Sequence, residues 1–156
     1  MNSTTSTPNP IIFDLIALTK PRVNFLIIFT AIVGMLLAQD FNLNYSLMIY
    51  ASIGIYLAAS AAAVINQIVD QKIDAIMDRT KSRPLIKGNV TSKHAIYFSI
   101  AISLISTYIL YEYVNTITTV LTLFSIIVYS IIYSVYLKNL TSQNIVIGGI
   151  AGAMPP

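Results

Sequence analysis

Long apolar stretches alternate with short polar ones along almost the whole chain. The apolar runs cover residues 11–18, 23–38, 41–69, 95–110 and 116–137, and another begins at Ile145. About 20 apolar residues suffice for a helix to cross the hydrocarbon core of a bilayer. The longer runs therefore predict transmembrane helices, whereas Ile11–Leu18 is too short to cross and is expected to lie along the interface. The pattern predicts an all-α, multi-pass transmembrane helical bundle.

Proline, glycine and small polar residues predict where these helices end. Pro84 disfavours helical backbone at the residue before it, so the helix that begins in residues 41–69 is expected to stop near Thr80. Gly88 and Asn89 then predict a turn before the next apolar run. Residues 1–10 are rich in Ser, Thr, Asn and Pro and are expected to form a disordered tail.

The charged residues support the same membrane assignment. They make up only 10% of the chain, against about 25% in a soluble domain, so they could not cover a soluble surface. All 9 Lys and Arg residues lie in segments on one side of the predicted spans, while Asp40 and Glu112 mark the other side. The positive-inside rule then places residues 70–93 on the cytoplasmic face of the membrane, which we expect to be a bacterial inner membrane. Because the bases follow topology, the net charge of +3 does not indicate a nucleic-acid partner.

Three oxygen-bearing side chains, Asn66, Asp70 and Asp74, follow one another at intervals of four at the end of the second long run. On a helix each step of four drifts by only about 40°, so the three share one face. The helix dipole and the nearby hydrocarbon both disfavour unpaired carboxylates there. Either this helix end is simply solvated, or the oxygen atoms bind a cation with phosphate, as Mg²⁺ does. We interpret Asp70 and Asp74 as ligands of Mg²⁺ in a catalytic diphosphate site.

Basic and aromatic side chains could complete such a site. Positive-inside charge alone would explain Arg79 and Arg83, but a guanidinium group can also bind two phosphate oxygens at once, and we interpret both as substrate-binding. Tyr129, Tyr133 and Tyr136 lie four and three residues apart. They could belong to the aromatic belt at the interface, or they could form a cavity wall whose ring faces stabilise a carbocation. Both interpretations stay open.

The acidic and basic residues together form a pattern that resembles a known family. This stretch resembles the first aspartate-rich motif of the intramembrane aromatic prenyltransferases, the UbiA superfamily. In detail it is most similar to the motif of those members that farnesylate protoheme IX. The matching residues are Asn66-xxx-Asp70-xxx-Asp74-xx-Met77-x-Arg79-Thr80-xx-Arg83-Pro84-Leu85. Two further stretches resemble the family's start and its fifth-helix signature, namely Leu18-Thr19-Lys20-Pro21-Arg22 and residues 144–156.

The resemblance implies roughly nine transmembrane helices around a central cavity, of which this chain would supply about four or five. It implies that Mg²⁺, held by two aspartate motifs, binds farnesyl diphosphate. The farnesyl group is then transferred to a vinyl group of protoheme IX, giving heme O and diphosphate. It also implies that Lys138 adds a basic contact to diphosphate or to a heme propionate, although the family usually has Lys-Arg where this chain has Lys138-Asn139.

Only the first of the two aspartate motifs occurs in the 156 residues. We therefore expect residues 11–156 to be the N-terminal part of a single, longer transmembrane prenyltransferase domain. One alternative left open is that this chain is inactive by itself although the longer protein is not.

Two other functions also stay open. A prenyltransferase of the same fold could act on a quinone precursor or a chlorophyll-type acceptor, and analysis of the product would distinguish these. A transporter or an assembly subunit is the non-enzymatic alternative. A transporter is expected to place an ionisable residue near the middle of the membrane, and the predicted spans carry none there, which disfavours it.

Overall fold

The computed structural model describes residues 11–38 and 44–130, which form helices joined by turns. The helices in chain order are α1 (Ile11–Leu18), α2 (Pro21–Ala38), α3 (Tyr45–Val69), α4 (Gln71–Asp74), α5 (Pro84–Lys87), α6 (Ser92–Tyr113) and α7 (Thr116–Ile127). No strand occurs in these two stretches, so the all-α prediction is confirmed. The predicted tail at residues 1–10 and the apolar segment from Ile145 lie outside the described residues.

Three of the helices, α2, α3 and α6, are long and apolar enough to cross a membrane. They contain 18, 25 and 22 residues. At a rise of about 1.5 Å per residue they extend over about 27 to 38 Å, which matches the hydrocarbon thickness of a bilayer. Their outer faces expose large apolar side chains, among them Phe25, Phe29 and Leu104, as a surface in contact with lipid should. The chain is an integral membrane protein, as the hydropathy predicts.

Helix α3 is the centre of the described bundle, because α1, α2, α6 and α7 all pack against it. Its buried face consists mostly of small residues, which let neighbouring helices approach closely. The most extensive packing is against α6, where the hydroxyl group of Ser106 donates to the carbonyl oxygen of Gly54 at 2.7 Å. A Cβ atom on Gly54 would lie 2.5 Å from Cγ of Leu110, so this contact requires glycine.

The predicted extension of the α3 helix to Thr80 is wrong, because the helix ends at Val69. Asp70 has φ −79° and ψ −1°, near the edge of the helical region, and it separates α3 from the single turn of α4. Beyond α4, the hydroxyl group of Thr80 donates to the carbonyl oxygen of Asp74 at 2.8 Å. That carbonyl oxygen would otherwise accept the next helical hydrogen bond, so a side chain from the loop takes the place of a further turn.

The segment after α4 folds back on the bundle and is covered on one side by α1. A buried apolar cluster joins α1, α3, this segment and α6, and its members are Leu18, Val64, Leu85, Val90 and Ala95. Pro84 opens α5, where a missing N–H group has no cost, and Gly88 ends α5 with φ +78°. The predicted turn at Gly88 and Asn89 is therefore confirmed, and glycine is suited to its left-handed backbone.

Replacing Gly54 by alanine should weaken the packing of α3 against α6, because the new methyl group would overlap Leu110. We expect the Gly54→Ala variant to lose about 1–3 kcal/mol of stability, the usual cost of overpacking. Thermal unfolding of the protein purified in detergent would measure the loss. Ser46→Thr, which adds one methyl group at an exposed position of the same helix, serves as the control and should leave unfolding unchanged. Equal stability of the two variants would contradict the close approach at Gly54.

Candidate functional site

The row of predicted ligands, Asn66, Asp70 and Asp74, is buried where α3 ends and α4 begins. The three residues are 8%, 6% and 5% exposed, respectively. Although α3 stops between them, the backbone keeps the helical spacing. The N–H group of Asp70 donates to the carbonyl oxygen of Asn66 at 2.9 Å, and that of Asp74 to the carbonyl oxygen of Asp70 at 2.8 Å. The alternative of a merely solvated helix end would leave these side chains exposed, so their burial disfavours it.

Asp74 forms an ion pair with Arg83, which is one of the two predicted phosphate-binding arginines. Nη1 of Arg83 donates to Oδ2 of Asp74, and the two side chains are 23% and 7% exposed. This contact closes the loop that runs from α4 to α5. A carboxylate buried to this degree would be costly without a partner, and the guanidinium group supplies one. The structure thus brings together two residues that the sequence could only place nine positions apart.

The remaining predicted site residues are distributed differently. Arg79 is exposed on the loop between α4 and α5. On the same loop, the ammonium group of Lys81 lies 2.5 Å from a carboxylate oxygen of the exposed Asp78. Lys138, Tyr133 and Tyr136 lie outside the described residues, and their predicted roles stay predictions.

A cavity of about 310 Å³ lies between α2, α3 and α7. Most of its wall is apolar and is built from isoleucine and alanine side chains, which include Ile27, Ile55, Ala58, Ala62 and Ile126. A smaller number of polar side chains also line it, namely Lys20, Asn24, Thr122, Ser125 and Tyr129. An apolar wall with a few polar groups is typical of a site for a small amphiphilic molecule.

The face of α3 that lines the cavity leads into the buried row. Ile55, Ala59 and Ala62 line the cavity, and Asn66 and Asp70 continue the same stripe at further steps of four residues. The small alanine side chains leave the space that the cavity occupies. The row of oxygen atoms therefore begins about one helical turn beyond the cavity wall.

The two amide side chains that hold the junction between α1 and α2, Asn24 and Gln67, are a part of this site that the sequence analysis did not single out. Nε2 of Gln67 donates to the carbonyl oxygen of Leu18 at 2.6 Å. Nδ2 of Asn24 donates to the carbonyl oxygen of Thr19 and to Oγ of Ser60, each at 2.8 Å. Both amides are nearly fully buried, at 3% and 2% exposure. The sequence could have indicated both residues, because an amide side chain within an apolar membrane helix is costly unless it has a hydrogen-bond partner.

The donor set at the row fits a hard divalent cation. Asp70 and Asp74 offer carboxylate oxygens and Asn66 offers an amide oxygen, the types of ligand that Mg²⁺ prefers. In residues 11–38 and 44–130 no group of three or more His, Asp or Glu side chains forms a complete protein site. Mg²⁺ needs only one or two carboxylates, because water and phosphate oxygens fill its other positions.

The chain is similar to known prenyltransferases over most of its length. The model of the UbiA prenyltransferase family matches residues 27–156, and members of that family generally use a divalent metal ion. The chain is 49% identical over 143 residues to the protoheme IX farnesyltransferase of Hahella chejuensis, covering 92% of this chain and 48% of the relative. It is 51% identical over 145 residues to that of Alcanivorax borkumensis, with the same two coverages.

A third relative, the protoheme IX farnesyltransferase of Xanthomonas oryzae pv. oryzae, is 54% identical over 142 residues, which are 89% of this chain and 48% of the relative. The chain thus spans about half the length of the curated relatives it matches. No solved structure gave a significant match.

Removing the guanidinium group of Arg83 should destabilise the fold, because it leaves the buried carboxylate of Asp74 without its partner. We expect Arg83→Ala to cost on the order of 3 kcal/mol in thermal unfolding. The control is Lys81→Ala, which removes the exposed partner of Asp78 and should cost about 0–1 kcal/mol. Adding Asp74→Asn to the arginine variant should restore part of the loss. If the arginine and lysine variants unfold alike, the ion pair of Asp74 does not stabilise the loop.

Proposed function

We propose, since the chain belongs to the UbiA prenyltransferase family, that the protein transfers a farnesyl group from farnesyl diphosphate to a vinyl group of protoheme IX. The products are heme O and diphosphate. The names of relatives about half identical to this chain support that acceptor over a quinone precursor or a chlorophyll-type acceptor. Membership of a prenyltransferase family disfavours a transporter or an assembly subunit.

One observation carries this proposal, namely that the buried row, which runs from the end of α3 into α4, continues the face of α3 that lines the apolar cavity. A prenyl diphosphate has an anionic head and an apolar chain, so it needs a cationic site directly beside an apolar space. The row of Asn66, Asp70 and Asp74 can supply the first with a bound metal ion, and the cavity wall from Ile55 to Ala62 supplies the second.

The residues of the row hold the metal ion and through it the diphosphate. Asp70 and Asp74 are the carboxylate ligands of Mg²⁺, and Asn66 lies beside them with its amide oxygen. When bound, Mg²⁺ supplies positive charge that stabilises the leaving diphosphate as its own negative charge grows. Because the carboxylates are 6% and 5% exposed, they act where water screens charge weakly.

Basic side chains add hydrogen bonds to the same anion. Arg83 already faces the row through Asp74, and its fork of N–H groups can bind a phosphate oxygen while it keeps that carboxylate. Arg79 and Lys138 are proposed to bind diphosphate or a heme propionate from the surrounding loops. All three positive charges favour departure of diphosphate.

The apolar cavity protects the reactive intermediate. When the bond between carbon and oxygen breaks, diphosphate leaves with the electron pair and an allylic cation remains. An apolar wall keeps bulk water from that cation until the vinyl group of the acceptor reacts with it. Tyr129 lines the cavity, and we propose that its ring, with those of Tyr133 and Tyr136, stabilises the cation through the ring face.

The protein is proposed to lie in a bacterial inner membrane with residues 70–93 in the cytoplasm. The support is the distribution of the Lys and Arg residues, which all fall on one side of the spans. The row and the basic residues of the loop between α4 and α5 would then face the cytoplasm, which supplies soluble Mg²⁺.

Neutralising either metal ligand should abolish prenyl transfer. In membranes that contain the full-length gene product, we expect Asp70→Asn and Asp74→Asn each to lower heme O formation on the order of 100-fold or more, because one charge of the metal site is lost. Chromatography of the heme products after incubation with farnesyl diphosphate and protoheme IX would measure the rate, with and without Mg²⁺.

The matched control is Asp78→Asn, which removes an exposed carboxylate in the same loop. It should retain the rate of the unsubstituted protein. Near-normal rates for both variants of the row would remove the metal role of Asp70 and Asp74. A product carrying the prenyl group on another acceptor would keep the metal site and replace protoheme IX as the substrate.

Single cysteines should report the two sides of the membrane, because these 156 residues contain none of their own. We expect a membrane-impermeant thiol reagent added to intact spheroplasts to label Glu112→Cys but to label Lys81→Cys only after permeabilisation. Both positions are exposed, so access alone decides the result. Labelling of the Lys81→Cys variant in intact spheroplasts would reverse the proposed orientation.

A further inference from the structure

Lys20 has a backbone conformation that L-residues rarely adopt. Its φ angle is +52°, and it is the one non-glycine residue with positive φ in the described ranges. Lysine lacks the short polar side chain that makes this region easier for Asn and Asp. Such conformations persist where the surrounding structure imposes them, and they occur preferentially at functional sites. The strained backbone therefore indicates a functional role for the side chain of Lys20.

The conformation of Lys20 is imposed by α2 and α3. The carbonyl oxygen of Leu18 accepts from Gln67 of α3, and the carbonyl oxygen of Thr19 accepts from Asn24 of α2. Both amides are buried, so these hydrogen bonds hold the two peptide groups that precede Lys20 in place. Gln67 is the neighbour of Asn66 in the chain, and it thereby fixes the junction beside the buried row.

The side chain of Lys20 lines the cavity between α2, α3 and α7. Thr122 of α7 lines the same cavity, is only 4% exposed, and its hydroxyl group has no hydrogen-bond partner in the described part of the chain. A buried hydroxyl group without a partner is unfavourable, and a polar atom of a bound molecule would satisfy it. The hydroxyl group of Thr122 is thus a second observation, independent of Lys20, that indicates a ligand in this cavity.

We propose that Lys20 is an anion-binding residue of the cavity, and that its ammonium group binds the anionic group of a substrate whose apolar body lies between α2, α3 and α7. This assignment rests on the proposed function, which supplies two such molecules. Farnesyl diphosphate offers phosphate oxygens and protoheme IX offers propionate carboxylates. Lys20 reaches the ligand from the junction of α1 and α2. The metal ligands and Arg83 reach it from the end of α3, from α4 and from the loop, so the two sets of charges bind from different sides.

Substitution of Lys20 separates a binding role from a purely structural one. Asn tolerates positive φ, so Lys20→Asn removes the charge while it keeps the backbone. Lys20→Arg keeps the charge, and Lys93→Asn makes the same charge change at an exposed position on the same side of the spans. We would measure binding of a non-hydrolysable farnesyl thiodiphosphate and of protoheme IX to each purified full-length variant in detergent.

We expect Lys20→Asn to weaken binding of one of the two ligands by about ten-fold or more, the usual effect of losing a charge-assisted hydrogen bond. Binding of the other ligand should stay unchanged, which identifies the anionic group as diphosphate or propionate. Lys20→Arg should retain most of the affinity, and Lys93→Asn all of it. Thermal unfolding of Lys20→Asn should occur no lower than that of the unsubstituted protein, because Asn relieves the strained backbone.

The outcomes distinguish this assignment from the proposed function. If the unsubstituted protein binds both ligands and Lys20→Asn binds them equally well, Lys20 has no binding role and the proposed function still stands. If the unsubstituted protein binds neither ligand, the proposed function fails and the assignment of Lys20 fails with it. If Lys20→Asn does not fold, Lys20→Gly relaxes the same φ angle, and unchanged affinity in that variant would overturn the proposal.

Discussion

Close packing around α3 is the constraint on which the rest of the structure depends. Helices in a bilayer gain little from burying apolar surface against one another, because lipid chains are equally apolar, so association relies on close contact and on hydrogen bonds between helices. Gly54 and the alanines of α3 allow that contact, and Ser106 adds a hydrogen bond to the buried backbone carbonyl oxygen of Gly54. A bulkier α3 would separate α6 from the bundle and would fill the cavity as well.

The same small residues define where a substrate can enter. On the face toward α2 and α7, alanine side chains stop short of the neighbouring helices and leave the cavity between them. One turn further along, that face changes from apolar to oxygen-bearing at Asn66. A molecule with an apolar chain and an anionic head would thus meet both of its requirements along a single helix, without any rearrangement of the helices that carry them.

Burial of the Asp74 carboxylate has a free-energy cost, and the structure offsets it locally. Arg83 folds back from the loop to pair with Asp74, and Thr80 satisfies the carbonyl oxygen of the same residue. These contacts also end the helical run, since the loop must turn back to make them. The junction of α1 and α2 follows a similar logic, because the amides of Asn24 and Gln67 satisfy backbone carbonyl oxygens that lipid could not.

The sequence by itself determined the membrane class, the positions of the spans α2, α3 and α6, the turn at Gly88 and the row of Asn66, Asp70 and Asp74. The crossing predicted at residues 116–137 extends beyond the described residues and stays a prediction. Those features follow from local properties: the length of an apolar run, the backbone freedom of glycine, and the helical repeat that places every fourth residue on one face. The resemblance to the family rested on motifs, which are a property of neighbouring residues, and the match of the family model to residues 27–156 confirmed it.

Only the tertiary structure decided where α3 ends, that Arg83 pairs with Asp74, where the cavity lies, and that the backbone of Lys20 is left-handed. The end of α3 and the ion pair depend on loop contacts six and nine positions from Asp74. The cavity and the backbone of Lys20 depend on packing between helices, where the contacts of Gly54, Asn24 and Gln67 join residues 52, 36 and 49 positions apart. The helical pattern from Asn66 onward favoured a longer helix, yet the loop bonds to Asp74 outweighed it. Helical periodicity predicts only which residues share a face of one helix. These features depend on contacts that the helix makes with the rest of the bundle and its loops.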